Sequence, residues 1–292
     1  MKKNTNYYWP FIFMAIFITS CGNQSNKSNP HNNTGDKIVP EWKTGVALYS
    51  FHAHPFEVAL AKADSAGAKN VEGFSFYQLG EAFDNVTMGN LSGEGLQKMK
   101  QMLDKRGLKM PSMYVEGAKD AAGWKKYFDM AQSFSMEYLV CEPPKAQWDM
   151  LDSLAGIYNI KVAIHEHSKE LSAYWHPDSV LAALKGHPNL GVCADLGHWV
   201  RSGLDPAECL HKLQGHILGI HLKDVDEVNN LKANDVEVGK GVINFTDVIN
   251  ELKRQHYNGI TYVECEHAWD NNMPDVKNAL LFFKALVAKT GN

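Results

Sequence analysis

Four short apolar runs in this chain each stop at acid and histidine side chains. Val162-Ala163-Ile164 leads into His165-Glu166-His167, and Gly191-Val192-Cys193-Ala194 leads into Asp195-Leu196-Gly197-His198. Ile217-Leu218-Gly219-Ile220 leads into His221-Leu222-Lys223-Asp224, and Ile260-Thr261-Tyr262-Val263 into Glu264-Cys265-Glu266-His267. Imidazole nitrogens and carboxylate oxygens are the donors of a divalent-metal site that keeps positions open for substrate. Alternate residues of a strand share a face, so His165 goes with His167, His221 with Lys223, and Glu264 with Glu266. The candidate ligands are His165, Asp195, His221 and Glu264. Imidazoles mixed with carboxylates suit Mn2+ or Zn2+, with Co2+ and Fe2+ as alternatives, better than Mg2+, which prefers oxygen. A one-residue slip at the first of these strand ends would exchange its faces and present Glu166 instead of His165.

For the four ends to meet, the runs must lie side by side as buried parallel strands. Strand signals fall at about 44–50, 70–74, 108–114, 138–142, 161–166, 190–195, 217–222 and 259–264. Helical signals fill the gaps at about 55–66, 94–106, 121–134, 145–157, 178–186, 206–213, 246–256 and 274–288. The sixth helix opens on Asp205-Pro206, a good N-cap followed by proline in the first turn. Eight alternating units predict an α/β protein of the (β/α)8 barrel class, whose strand ends all open at one mouth. No glycine-rich dinucleotide fingerprint follows the first strand, which argues against a doubly wound sheet. The longest irregular connection, roughly 225–242, follows the seventh strand and is placed to wall or cover that mouth.

The barrel does not need the whole chain of 292 residues. Lys2 and Lys3 precede an apolar stretch from Trp9 to Ile18, and small residues then lead to Cys21. This reads as a secretory signal, too short for a membrane span, with an ending that resembles a bacterial lipobox. The expected division is a lipoprotein signal peptide at 1–20, an Asn- and Ser-rich flexible tether at 21–40, and the barrel at 41–292. Cys21 would carry the lipid. With no aspartate directly after it, the expected location is the outer membrane, facing the periplasm. Losing residues 1–20 removes two lysines and no acids, taking the net charge from −4 to −6. A mildly acidic exported domain is a poor nucleic-acid binder. Cys141, Cys193, Cys209 and Cys265 show no spacing that specifies a disulfide, and buried free thiols are expected.

The motifs Asp195-Leu196-Gly197-His198 and His221-Leu222-Lys223-Asp224, the Gly239-Lys240-Gly241 turn, and Glu264 together resemble the xylose isomerase-like TIM-barrel superfamily, in its sugar phosphate isomerase/epimerase branch. The resemblance covers about 250 residues, the span typical of one such barrel. It implies a divalent metal held by acids from strands five, six and eight and a histidine from strand seven. By position, Asp195, His221 and Glu264 become ligands and His198 lies beside the metal or substrate. Strand five departs from the pattern, because His165 stands where the family has a glutamate that often also moves a proton. An acid near the substrate on strand two is implied at Glu72.

Such a metal would polarise a sugar carbonyl and stabilise the enediolate formed when the neighbouring proton leaves. Glu264, His167, Glu266 and Glu166 are the candidates to take that proton. Glu72, Glu142, His198, Arg201 and Lys223 are the candidate substrate contacts. His52, His54, Trp199 and the Tyr174-Trp175 pair could also line the cup. The leading expectation is a metal-dependent sugar isomerase or epimerase. The alternative is a lyase in which the same enediolate expels a β-substituent from a 3-keto-glycoside. An exported enzyme would meet neutral sugars or glycosides rather than phosphorylated ones. A lipid-tethered carbohydrate-binding protein without catalysis is the reading from another class.

Overall fold

Eight apolar runs form the parallel strands β1 (Lys43–Ala47), β2 (Asn70–Phe74), β3 (Lys109–Tyr114), β4 (Tyr138–Cys141), β5 (Lys161–His165), β6 (Leu190–Asp195), β7 (Ile217–Leu222) and β8 (Ile260–Val263). The computed structural model describes residues 42–290. The expected signal peptide, Cys21 and the tether lie outside the described residues. Among the described residues no helix is long and apolar enough to cross a membrane. The strands close into one parallel barrel in the order β1-β8-β7-β6-β5-β4-β3-β2, each next to its sequence neighbour. Strands covered on both faces need apolar residues throughout, which is why β4, β6 and β8 are buried along their whole length.

Nine helices are described around it: α1 (Phe56–Ser65), α2 (Gly93–Lys105), α3 (Ala121–Ser133), α4 (Trp148–Tyr158), α5 (Pro177–Leu184), α6 (Leu196–Arg201), α7 (Pro206–Lys212), α8 (Phe245–Arg254) and α9 (Met273–Lys289). Their local chemistry is readable. In α8, Phe245, Val248, Ile249 and Leu252 recur at helical spacing and are the buried face. Asp205 caps α7 by accepting the Glu208 N–H at 2.9 Å, with Pro206 in the first turn.

Two elements differ from the sequence expectation. The first strand stops at Ala47 rather than near residue 50, and 48–51 wind into a 3-10 turn. Side-chain bonds hold that turn: Ser50 Oγ accepts the Cys265 N–H at 2.9 Å, and the Ser50 carbonyl accepts from Asn272 at 2.5 Å. The short helix α6 was not expected. Asp195 creates it by accepting the His198 N–H at 2.9 Å, which starts a helix directly from the strand.

The barrel interior narrows to a polar floor beneath the mouth. Tyr262 and Tyr138 fill it because glycines stand opposite: a Cβ on Gly45 would lie 2.8 Å from the Tyr262 ring, and one on Gly219 would lie 2.3 Å from the Tyr138 hydroxyl. The free thiols Cys141, Cys193, Cys209 and Cys265 are all buried. Burial pushes the Cys193 and Cys265 thiols up to about 12, so they stay protonated and inert.

The connection after β7 is organised by one acid. Asp224 Oδ1 accepts the N–H groups of Val225 and Ile243 at 3.0 and 3.2 Å, and Oδ2 accepts those of Gly239 and Gly241 at 3.0 and 2.9 Å. Glycine is required at 241, because a Cβ there would sit 2.3 Å from Asp224 Oδ1. Asp224–Val225 then pairs antiparallel with Asp235–Val236 as a small ribbon. We expect Asp224→Ala to cost about 1–3 kcal/mol, since it strands several buried N–H groups. Urea unfolding would measure the loss, and limited proteolysis should find cleavage between residues 225 and 242 accelerated. Unchanged stability and digestion would show that the clasp is idle.

Candidate metal centre

The ends of β5, β6, β7 and β8 bring His165, Asp195, His221 and Glu264 together, with one ligand atom from each lying within 4.8 Å of the others. Strand register explains the fit. Asp195 and His221 are direct partners across β6 and β7. Glu264 follows β8, and its N–H still donates to the Leu222 carbonyl of β7 at 3.2 Å. Asp195 divides its oxygens, with Oδ1 capping α6 and Oδ2 turned inward without a hydrogen-bond partner. His221 Nδ1 also has no such partner; it lies 3.0 Å from Glu264 Oε2 and 3.8 Å from Asp195 Oδ2. His165 Nε2 lies 3.7 Å from the same Asp195 oxygen.

Buried donors without partners are expensive unless a ligand completes them. The set fits a divalent cation: imidazole nitrogen and carboxylate oxygen converge, and the nearest fixed cation is a single lysine. Lys223 is buried with Nζ 3.2 Å from Asp195 Oδ2, 3.1 Å from Glu264 Oε2 and 2.6 Å from Glu266 Oε1. Burial works against the lysine's charge, but these carboxylates raise it well above the ordinary range. Burial would likewise raise Asp195 and Glu264, yet Lys223 and the neighbouring imidazoles hold both well below ordinary carboxylates. Both carboxyls are therefore ionised and could serve as metal donors.

A layer of support sits beneath the donors. His221 Nε2 donates to Glu72 Oε2 at 2.5 Å, which fixes the ring with Nδ1 facing the site. Ser112 Oγ lies 2.8 Å from both Glu72 Oε1 and the Tyr262 hydroxyl. One proton per hydroxyl makes this a chain from Tyr262 through Ser112 to Glu72. The spacing of Ser112 and Tyr262 in the sequence gave no hint of it.

Several residues fall elsewhere than the sequence suggested. Glu72 is fully buried, bonds the His221 ring and does not line the cavity. Lys223 is covered by Glu266, which lines the mouth cavity. Arg201 donates to the Ala233 carbonyl at 3.1 Å and to Asp235 at 2.7 Å, and so ties α6 to the ribbon rather than to a sugar. Glu166 is buried, does not line the cavity, and finds no partner for either oxygen. Alternation turns it away from the donors, and burial raises it well above an ordinary carboxyl, so it is a neutral acid behind the wall. Trp199 is core, and Tyr174 bonds Trp148 beside the mouth.

The cavity over the donors measures about 410 Å3 and includes His165, His167, His198, His221, Glu264 and Glu266 in its wall. His167 Nδ1 bonds Glu142 Oε1, and Ser172 bonds the other Glu142 oxygen. Burial opposes the Glu142 charge, but His165 and His167 hold the group well below the usual range. This leaves His167 Nε2 as the nitrogen available to the cavity. His198 is kept neutral by burial.

The matched family model is the xylose isomerase-like TIM barrel, over residues 60–286, and the chain belongs to that family. It is 33% identical to an uncharacterized protein of Parabacteroides distasonis, covering 84% of this chain and 98% of that one with a TM-score of 0.67. A stretch of 96 residues is 33% identical to an uncharacterized Methanocaldococcus jannaschii protein, covering 32% of each chain. The inosose dehydratase of Geobacillus kaustophilus is 23% identical over 234 residues, 61% of this chain and 74% of that one. Two solved structures share the fold: a D-tagatose 3-epimerase-like protein (18% identity, TM-score 0.68, 86% and 100% covered) and the IOLI protein with bound zinc (15%, 0.69, 85% and 99%).

Removing the support should weaken metal binding without touching a ligand. We expect Glu72→Gln to lower zinc affinity by about tenfold or more, read by calorimetric titration; equal affinity would remove Glu72 from the centre. Glu166 supplies a pH test. Its folded pKa is raised, so its contribution is fully present below about pH 4.5 and fades as pH rises, because only the unfolded state ionises readily. Glu166→Gln should therefore lose less unfolding free energy than wild type between about pH 5 and pH 8. Parallel pH curves would refute the assignment.

Proposed function

We propose that this protein is a metal-dependent enzyme that removes the proton beside a sugar-type carbonyl, giving isomerisation or epimerisation. The observation that carries the reading is the convergence of His165, Asp195, His221 and Glu264 beneath a cavity holding separate proton-moving groups. A divalent cation bound there would polarise the substrate carbonyl and lower the cost of the negative charge that develops on its oxygen. Zinc in a fold neighbour and the mixed imidazole–carboxylate donors support Zn2+ or Mn2+.

The chain's own residues then divide the work. Glu142 fixes the His167 tautomer, so Nε2 is the lone-pair nitrogen that accepts the substrate proton. Glu266 stands on another wall: β8 is separated from β5 by β6 and β7 around the barrel. Lys223 holds the Glu266 carboxylate at 2.6 Å and offsets the negative charge around it. Groups reaching a substrate from two sides suit removal of a proton on one side and its return on the other. The cavity wall and α6 keep His198 close to the donors as a neutral hydrogen-bonding group.

A second reading is favoured by the similarity to an inosose dehydratase. There the same proton leaves to His167, but the electron pair forms a carbon–carbon double bond as a β-substituent departs with its bonding electrons. On a 3-keto-glycoside the departing group is the aglycone.

Heavy water decides between these outcomes. Zinc-loaded protein should place deuterium at the carbon beside the carbonyl of a keto-sugar, and His167→Asn should slow that exchange by about 100-fold or more. Rearranged sugar without released aglycone supports the isomerase reading, while free aglycone supports elimination. Absence of exchange on aldoses, ketoses and keto-glycosides alike would overturn proton abstraction.

A further inference from the structure

The cavity has two unlike sides. Candidate metal-holding and proton-moving groups come from β5 to β8, whereas the loops and ends of β1, β2 and β3 present mainly aromatic rings, with Glu116 the acid among them. Tyr49, Phe74, Phe76 and Tyr114 all line it. They are in mutual contact: Tyr49 to Phe76 at 6.0 Å between centroids, Phe74 to Phe76 at 5.6 Å, and Phe76 to Tyr114 at 6.1 Å. Trp269 and His52 extend the belt outward, at 5.9 and 4.6 Å from Tyr49. At its inner end Tyr114 meets His165 edge-on at 5.5 Å, so the belt terminates on a metal ligand.

Packing alone does not account for this belt. Phe74 is buried, but Tyr49, Phe76 and Tyr114 remain partly exposed on the cavity wall, and Trp269 is partly exposed beside Tyr49. A bare sugar carries hydroxyls along most of its edge, and each one pressed on these rings would lose its hydrogen bonds to water. One aromatic platform serves the apolar face of one sugar ring; a continuous belt serves something less polar and larger. Tyr49 and Tyr114 do not make the side ionic, since burial, reinforced by nearby carboxylates, raises both phenols and keeps them neutral.

We infer that the substrate is a conjugate: a sugar-type hydroxycarbonyl held over the donors, carrying an apolar ring-sized substituent that stacks on Tyr49, Phe76 and Tyr114. This rests on the proposed proton-abstracting site for the position of the sugar part, while the belt itself is independent of which reaction follows. A monosaccharide without such a substituent would leave the belt wet and bind weakly.

The test compares phenyl and methyl glycosides of the same 3-keto-hexose, titrated calorimetrically into zinc-loaded full-length protein. The phenyl compound should bind about tenfold more tightly, and Phe76→Ala, checked for folding by its melting curve, should bring the ratio toward one. Tyr49→Leu is the second variant should Phe76→Ala fail to fold. Equal affinities in the wild type would overturn the inference, even if both compounds exchange deuterium and proton abstraction stands. A phenyl preference without exchange on either compound supports the belt as a binding surface and sinks the proposed reaction instead.

Discussion

The structure turns on carboxylates buried together at the strand ends, where burial and neighbouring cationic groups pull in opposite directions. Asp195, Glu264 and Glu72 are buried within one small region of the barrel, and Lys223 is the one permanent cation placed among them. Desolvation opposes the charges of Asp195 and Glu264, and Lys223 and the neighbouring imidazoles hold both ionised. A fold tolerates such an arrangement where a ligand completes it. Register across β6 and β7, the cap on α6 and the Glu72–His221 hydrogen bond all serve to hold donors in a geometry that is costly by itself.

Layers below and beside the donors share the burden. Tyr262, Ser112 and Glu72 form a hydrogen-bonded column that ends on His221, and glycines at 45 and 219 clear the space for its aromatic rings. Glu142 does for His167 what Glu72 does for His221, and both rings reach the cavity. The same carboxylate–imidazole pairing thus fixes one histidine among the converging donors and another on the cavity wall. Aromatic rings from the opposite half of the barrel complete the mouth.

Much of this was legible in the sequence, because apolar runs ending in chemistry-bearing residues declare both strands and their open ends. The alternation of strand and helix signals specified the barrel, whereas the sequence left open which of His165 and Glu166 faces the mouth, and the fold puts His165 on the cavity wall and Glu166 away from it. What escaped were contacts between residues far apart in the chain. Nothing local to Glu72 says that it bonds a ring 149 positions away, and Arg201 meets its aspartate only after the ribbon folds back. Lys223 shares the face of His221 as alternation requires, yet Glu266 covers it, a matter of side-chain length and not of period. Helix α6 was missed because one cap, not a repeating apolar pattern, produces it.

Asp224 fastens both ends of the long connection to the strand that supplies His221 and Lys223. Arg201 and the ribbon fasten residues 233–236 as well, which leaves the exposed turn around Glu227 and Val228 as the least tied part of the connection. Insertions or exchanges in that turn can therefore be absorbed while His165, Asp195, His221 and Glu264 keep their alignment.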